Sequence, residues 1–257
     1  MPTVADVVTA LAAKTRPETA AEWDPVGLQL GDVQAGVNSV GICHEVTEDV
    51  VAAIEASPVD LLVTYHPLLF EPVNRLLAGR SPSSRAMRLL GAGVNLLVTH
   101  TDFDIARGGT ADALAALLGL RDVEPFGEDD ESGILAIGRV GRFGASLAAL
   151  DAIVSDHMGH TGLRISGDRQ TELDRVAVVP GSGSDFIPAA AEVADAMVTG
   201  DVSHHRAVAA LDLGLCIVDP GHIATERPGI DALLQLVRET VDLEVVDLTE
   251  FDPVTWS

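Results

Sequence analysis

The chain has 257 residues, 47% of them hydrophobic, which is enough to bury one large core or two modest ones. With 39 acidic residues against 16 basic ones, the formal net charge is −23, which repels a polyanionic backbone and argues against nucleic acid as a partner. The same acidic excess also serves solubility, so charge alone identifies no ligand.

The amino-terminal stretch shows no targeting signal. Its sequence, MPTVADVVTALAAKT, lacks the basic segment and the long apolar run of a secretory signal, and no segment approaches the ~18 consecutive apolar residues that span a bilayer. We therefore expect a cytoplasmic protein without membrane association. Cys43 and Cys216 lie inside apolar runs and are expected to be buried thiols, so any metal would be held by nitrogen and oxygen ligands.

Apolar runs of strand length alternate with amphipathic stretches along the chain. The predicted strands are 38–43, 60–65, 93–99, 134–140, 175–179, 196–199, 215–218 and 243–248. The predicted helices, in which apolar residues recur at helical spacing, are 47–57, 110–120, 144–158, 184–195 and 227–239. Continuous apolar strands such as LLVT are typical of sheets covered on both faces. The pattern predicts an α/β protein with mixed or mostly parallel sheets.

The polar, acidic segment FGEDDES at 126–132 is the best candidate for a domain boundary, because Pro125 and Gly133 flank it. It predicts an amino-terminal α/β lobe at 1–125 and a carboxyl-terminal α/β lobe at 126–257. Candidate ligands lie in both lobes, so we expect the lobes to pack together with a metal site at their interface.

Three threonines are expected to cap helices, and one of them, Thr110, precedes a run that stops at Gly119. Thr47 precedes two acidic residues that suit the amino-terminal end of a helix dipole. Thr225 is the predicted N-cap of the last long helix, which would place Glu226 in its first turn with Pro228 tolerated there.

Imidazole and carboxylate side chains follow three predicted strands. His66 comes after DLLVT, His100 and Asp104 come after GVNLLVT, and His222 and Glu226 come after LGLCIVDPG. Proteins of this class place their chemistry at the carboxyl ends of strands, so these side chains are expected to converge on one divalent-metal site. Such ligands suit Zn, Mn, Fe, Co or Ni. Any one histidine alone would more simply be hydrogen-bonded to backbone, but the repetition at three strand ends favours a metal site.

Six motifs in order carry a resemblance to a known family. They are WDPVGLQLGD, TYHPLLF, THTDFDIARGG, VVPGSGSDFI, MVTGDVSHH and DPGHIATE. Together they span nearly the whole chain and resemble the Nif-three-like dinuclear-metal proteins, often labelled GTP cyclohydrolase 1 type 2 homologues. The resemblance implies a Nif-three-like fold, one or two divalent cations per chain and a toroidal homohexamer.

The resemblance also implies particular ligands. These are His66, Asp104, His222 and Glu226, with Glu226 bridging two ions and His100 lying beside them or acting as an additional ligand.

Two positions depart from the family pattern. Tyr65 stands where the family has the first histidine of a His-His-Pro motif, and a phenol with a pKa of about 10 is a poor metal ligand. This leaves open whether one of the two metal positions is weak or empty. His44 stands where the family more often has an aspartate. Either it supplies the missing imidazole or it is an ordinary strand-end residue.

The Gly181–Ser184 run could cradle an anion with its backbone N–H groups, or could simply form a small-residue turn.

Two functions remain open at this point. In the first, a divalent ion lowers the pKa of a bound water to about 7 and polarises the substrate, with His100 as the candidate for proton transfer. That predicts a metal-dependent hydrolase of a small nucleotide-like or phosphorylated compound, and the family label implies ring opening at a purine carbon. The alternative is a non-catalytic metal-binding, metal-delivery or regulatory hub protein.

Overall fold

Two mixed β-sheets form the framework of the residues that the structure describes, which are 1–127, 136–158 and 162–249. The structure is a computed structural model. The strands are β1 (Gly27–Leu30), β2 (Ser39–Cys43), β3 (Leu61–Thr64), β4 (Asn95–Val98), β5 (Arg121–Phe126), β6 (Gly138–Ser146), β7 (Arg164–Ser166), β8 (Glu172–Val178), β9 (Ala196–Val198), β10 (Cys216–Asp219) and β11 (Glu244–Asp247). The predicted α/β class is confirmed.

Helices connect most of these strands. They are α1 (Val4–Thr15), α2 (Glu48–Ala56), α3 (Pro82–Gly91), α4 (Thr101–Ile105), α5 (Thr110–Leu117), α6 (Leu147–Met158), α7 (Ile187–Val193), α8 (His204–Asp212) and α9 (His222–Thr240). Short 3-10 turns occupy Pro17–Thr19 and Ser184–Phe186. The predicted cap of α2 is present, because the Thr47 hydroxyl accepts a hydrogen bond from the Val50 N–H.

The chain divides into two compact units. The first unit contains Met1–Ala106 and residues 230–249, and the second contains Arg107–Gly229. This division differs from the predicted lobes 1–125 and 126–257. Residues 125 and 126 lie inside β5, which pairs with β6 in the second sheet, whereas β11 returns to pair with β2 in the first sheet. Residues 128–132 of the predicted linker lie outside the described residues.

The first sheet has the strand order β1-β4-β3-β2-β11. Its strands are parallel except β1, which pairs antiparallel to β4. The central strand β3 is buried along its whole length, as expected for a strand covered on both faces. Val40, Ile42 and Val63 pack with residues of α1 and of the second half of α9 in one core cluster. Leu62 packs with residues of α2 and α3 in another.

The second sheet has the order β5-β6-β8-β9-β10-β7. Strands β8, β9 and β10 are parallel, and the outer pairs are antiparallel. Leu147 and Leu150 of α6 are fully buried against Val176, Val198 and Val218 of the sheet. This apolar contact holds the parallel strands whose ends carry the candidate ligands of the second unit.

The strands that sequence patterns missed, β1, β5 and β7, lack a continuous apolar run. Strand β5 is exposed at five of its six residues, and β7 has only three residues, none of them buried. Helices α1, α3, α4 and α8 were also not predicted. The predicted strand 134–140 corresponds to β6, which begins at Gly138, and residues 134 and 135 lie outside the described residues.

Both cysteines are buried, as expected. Among the helices in the described ranges, none combines the length and the apolar content that crossing a bilayer requires.

Shortening a buried side chain of strand β3 should destabilise the first unit. Leu62 is fully buried, so Leu62→Ala should lower the free energy of unfolding by about 2–5 kcal/mol, because it removes apolar contacts and leaves a cavity. Denaturant unfolding followed by circular dichroism measures the change. The matched control is Leu76→Ala, at a leucine with 61% of its surface exposed, which should change stability by no more than about 0.5 kcal/mol. Equal losses in the two variants would contradict the assigned packing.

Candidate metal centre

The carboxyl ends of three neighbouring strands lie level with one another in the first unit. Cys43 of β2 pairs with Thr64 of β3, and Thr64 pairs with Val98 of β4. Because the strands are parallel and in register, the residues that follow them leave the same edge of the sheet. Polar side chains distant in sequence are thereby brought side by side.

Four aromatic side chains meet at this edge, namely His44, Tyr65, His66 and His100, which we term the strand-end cluster. The His44 and His66 rings are edge-on with centroids 4.6 Å apart, and the His66 and His100 centroids are 5.1 Å apart. The Tyr65 ring stacks on His44 at 5.7 Å and lies edge-on to His100 at 5.3 Å. Ring nitrogens of His44 and His66 that could ligate a metal lie within 4.8 Å of each other, which is slightly more than the about 4 Å that two Zn–N bonds of about 2.0–2.1 Å can span.

Asp104 belongs to the same edge of the first sheet. It lies in α4, whose first turn is closed by the Asp104 N–H donating to the His100 carbonyl at 3.1 Å. The carboxylate is buried and accepts a hydrogen bond from the Tyr65 hydroxyl at 2.5 Å. The residue that departs from the family pattern therefore contacts a predicted ligand.

A buried carboxylate orients His100. Asp24 Oδ2 lies 3.1 Å from His100 Nδ1, and it also accepts hydrogen bonds from the backbone N–H and the hydroxyl of Thr101. Burial by itself would raise the pKa of Asp24, but the hydrogen bond and charge of His100, with the two bonds from Thr101, leave that pKa lowered. An ionised partner at Nδ1 favours the tautomer whose Nε2 carries a lone pair.

A second acid is buried beside this pair. Asp102 Oδ1 accepts a hydrogen bond from the His100 N–H at 2.7 Å. Burial, supported by the nearby charge of Asp24, raises the pKa of Asp102 to about 6, although hydrogen bonds to the His100 N–H and the Thr15 side chain oppose the shift.

In the second unit, His222 and Glu226 lie one turn apart at the start of α9. His222 Nε2 is 3.1 Å from Glu226 Oε1, and His222 Nδ1 is 2.7 Å from Asp201 Oδ2. The hydrogen bond to Glu226 is the main cause that raises the pKa of His222 to about 9; burial opposes it, and the Glu226 charge and the Asp201 carboxylate add to it.

The start of α9 differs from the prediction. The helix begins at His222 rather than after Thr225, because the Thr225 hydroxyl donates to the His222 carbonyl from inside the first turn. Pro228 consequently lies within the helix instead of in its first turn.

Two glycines allow the backbone to approach these ligands closely. Gly181 has a φ of +64°, and a Cβ built there would lie 2.4 Å from Glu226 Oε1. A Cβ at Gly200 would lie 2.7 Å from the His222 backbone. The N–H groups of Gly181 and Gly183 donate to the hydroxyls of Thr225 and Thr199, so these two groups are already engaged and do not support the anion-cradle interpretation.

The predicted site residues are thus grouped by unit. His66, His100 and Asp104 gather at the edge of the first sheet, and His222 and Glu226 gather in the second unit. Sequence reasoning missed Asp24 and Asp201. Asp201 follows β9 and could have been found by the strand-end rule that identified the other residues, whereas Asp24 gave no signal beyond its place in the WDPVG motif.

The fold and these side chains define an α/β protein with imidazoles and carboxylates at the carboxyl ends of parallel strands. Residues 2–253 match the family model described as Duf34/NIF3 (NGG1p interacting factor 3). The chain belongs to the DUF34/NIF3 family.

Individual relatives agree with this assignment. The chain is 30% identical over 231 residues to a GTP cyclohydrolase 1 type 2 homolog from Clostridium perfringens, covering 87% of this chain and 86% of that protein. It is 35% identical over 216 residues to one from Nostoc sp., covering 82% and 81%. Reduced HcgD from Methanocaldococcus jannaschii is similar in structure, with a TM-score of 0.84, 29% identity and coverage of 96% and 97%. A Bacillus cereus protein related to NIF3 shares the fold, with a TM-score of 0.88 at 21% identity and coverage of 100% and 99%.

Adding a side chain at Gly181 should displace Glu226. Gly181→Ala should lower the free energy of unfolding by more than the about 1–2 kcal/mol that a left-handed backbone costs a non-glycine residue, because its Cβ would also collide with the Glu226 carboxylate. The matched control is Gly214→Ala, where φ is +82° and nothing lies within 4 Å of the added Cβ. Chemical denaturation of both variants gives the difference. Equal losses of unfolding free energy in the two variants would show that the Glu226 side chain moves away from the added Cβ without destabilising the fold.

Proposed function

We propose that this chain binds one or two divalent cations through His66, Asp104, His222 and Glu226 and uses them to hydrolyse a small nucleotide-like or phosphorylated substrate. The observation that carries the proposal is the strand-end cluster, in which metal-ligating atoms of His44 and His66 approach within 4.8 Å. The names of the relatives, GTP cyclohydrolase 1 type 2 homolog, support a nucleotide-like substrate class.

The chemistry of the side chains fits a divalent transition metal. Imidazole nitrogen and carboxylate oxygen are the ligands that Zn, Mn, Fe, Co and Ni share. The candidate ligands also have the outer hydrogen-bond partners that metal sites require, because Tyr65 holds Asp104 and Asp201 holds His222. We propose that His66 and Asp104 of the first unit, and His222 and Glu226 of the second, would hold such ions.

In a hydrolytic reaction, the cation would supply Lewis acidity and an activated water. His100 would accept a proton at Nε2, and Asp24 would hold the ring in position and stabilise the imidazolium that forms. The ring contact of His100 with His66, at 5.1 Å, keeps this proton acceptor beside a ligand.

An exposed aromatic pair lies next to His100. Trp23 is 49% exposed, lies edge-on to His100 with centroids 6.3 Å apart and contacts Phe70 at 5.9 Å. Such exposed rings can stack on a planar heterocycle, which supports a substrate with a base-like ring.

A test of the proposed role of His100 distinguishes an enzyme from a metal carrier. Asp24→Asn should leave metal content unchanged and lower kcat by about 10²–10⁴-fold, the range of general acid–base catalysis, because the amide neither selects the tautomer nor stabilises the imidazolium. The variant and the wild type are compared by measuring their turnover of nucleotides, pterin precursors and phosphoesters. Elemental analysis measures the metal content of each. Asp104→Asn is the companion variant and should lose both metal and turnover.

Unchanged turnover in Asp24→Asn would reject the role of His100. A wild-type protein that retains metal but turns over none of these compounds would favour the alternative, a non-catalytic metal-binding, metal-delivery or regulatory hub protein.

Metal content tests the ligands directly. Protein purified without chelator should contain one or two divalent ions per chain, and His66→Ala should lose at least one, because an imidazole ligand is removed. Elemental analysis measures the stoichiometry and also identifies the metal. His157→Ala, at an exposed histidine in α6, is the control and should retain the wild-type content. Full metal content in His66→Ala would contradict the proposed ligand set.

We also propose that the chain forms a homohexamer, as the family resemblance implies, and that it is located in the cytoplasm. Sedimentation velocity over a range of protein concentrations should show a six-chain species. A monomer would contradict this assembly while leaving the proposed metal ligands unaffected.

A further inference from the structure

The ends of β2 and β3 remain paired beyond the sheet. Cys43 is level with Thr64, and past this pair the Tyr65 N–H donates to the Cys43 carbonyl at 3.2 Å and the His66 N–H donates to the His44 carbonyl at 2.9 Å. Positions 44 and 65 are therefore neighbours on adjacent strands. The rings of His44 and Tyr65 stack at 5.7 Å with an interplanar angle of 15°.

The phenol at position 65 is engaged with a carboxylate. Tyr65 is 1% exposed, and its hydroxyl donates to Asp104 Oδ1. A hydroxyl that donates keeps its proton, whereas a metal ligand at this position would have to be a phenolate, which is unfavourable for a group with an ordinary pKa of about 10. This hydrogen bond orients the Asp104 carboxylate, as the outer partners of metal ligands do.

The imidazole at position 44 lies where a ligand paired with His66 is needed. His44 is 4% exposed, its ring is edge-on to His66 at 4.6 Å, and metal-ligating atoms of the two residues approach within 4.8 Å. This distance is close to the about 4 Å that two Zn–N bonds span, so a small side-chain rotation would let the two imidazoles coordinate one cation.

We infer that His44 is a metal ligand paired with His66, and that Tyr65 is not a ligand but a positioning residue that holds Asp104. The imidazole that pairs with His66 therefore follows β2 instead of β3. This inference rests on the proposed metal binding. Two imidazoles and one carboxylate select zinc, cobalt, nickel or iron over magnesium or calcium.

The test of His44 is a rescue on the neighbouring strand. Full-length protein stripped of metal is titrated with Zn²⁺ and Co²⁺, and affinity and stoichiometry are followed by competition with a chromophoric chelator and by cobalt absorption. Losing an outer hydrogen-bond partner of a metal site weakens metal binding by about 10–100-fold. Because His44 is proposed as a direct ligand, His44→Gln should weaken metal binding by at least this factor. His44→Gln combined with Tyr65→His should bind more tightly than His44→Gln alone, because the imidazole returns at the adjacent position, although the hydrogen bond from Tyr65 to Asp104 is lost.

The controls separate the possible failures. His66→Ala should lose metal and His157→Ala should not, and thermal unfolding confirms that each variant folds. His44→Asn is the second variant if His44→Gln does not fold. A wild-type protein that binds no metal would overturn the proposed function itself. Wild-type binding that depends on His66 but is unchanged in both His44 variants would overturn this inference alone.

Tyr65 is tested with the unmodified protein. The chain contains a single tyrosine, so any tyrosinate signal identifies Tyr65. Loading with Zn²⁺ should produce no tyrosinate absorption, and loading with Fe³⁺ should produce no phenolate-to-iron charge-transfer band. Tyr65→Phe should retain the stoichiometry and weaken binding by about 10–100-fold. A tyrosinate band on metal binding would overturn the positioning role, and so would wild-type affinity in Tyr65→Phe.

Discussion

The parallel, in-register pairing of β2, β3 and β4 is the constraint on which the site in the first unit depends. It sets Cys43, Thr64 and Val98 at one level, so the polar residues that follow emerge at one edge of the sheet. A shift of one residue would send these side chains to opposite faces of the sheet and disperse the cluster. The buried apolar strands stabilise the register, because their side chains are covered on both faces.

The same arrangement recurs in both units: a histidine at a strand end contacts an acidic side chain. Asp24 contacts Nδ1 of His100 and Asp201 contacts Nδ1 of His222. An acidic partner at one ring nitrogen fixes the orientation of the ring and directs the other nitrogen toward a ligand or substrate. Part of the large acidic excess of the chain is thus committed to orienting imidazoles, which composition could not show.

In the second unit, the backbone must approach two of the predicted ligands closely. Gly181 and Gly200 come so near Glu226 and His222 that a β-carbon at either position would collide with them. Thr225 links this turn to α9, since it accepts from the Gly181 N–H and donates to the His222 carbonyl. The start of α9 and the glycine turn therefore form one hydrogen-bonded unit that positions two predicted ligands.

The sequence by itself determined the α/β class, the buried strands and the cap at Thr47, because apolar runs and capping residues are local signals. Strand-end motifs and the family resemblance they carry also supplied the candidate ligands His66, Asp104, His222 and Glu226. Only the tertiary structure decided which side chains meet. Asp24 lies 76 residues before His100, and the stacking of His44 on Tyr65 follows from strand register. The unit boundary was also a tertiary outcome, since β11 completes a sheet begun near the amino terminus. Contacts between segments distant in the chain depend on packing and topology, which no local pattern encodes.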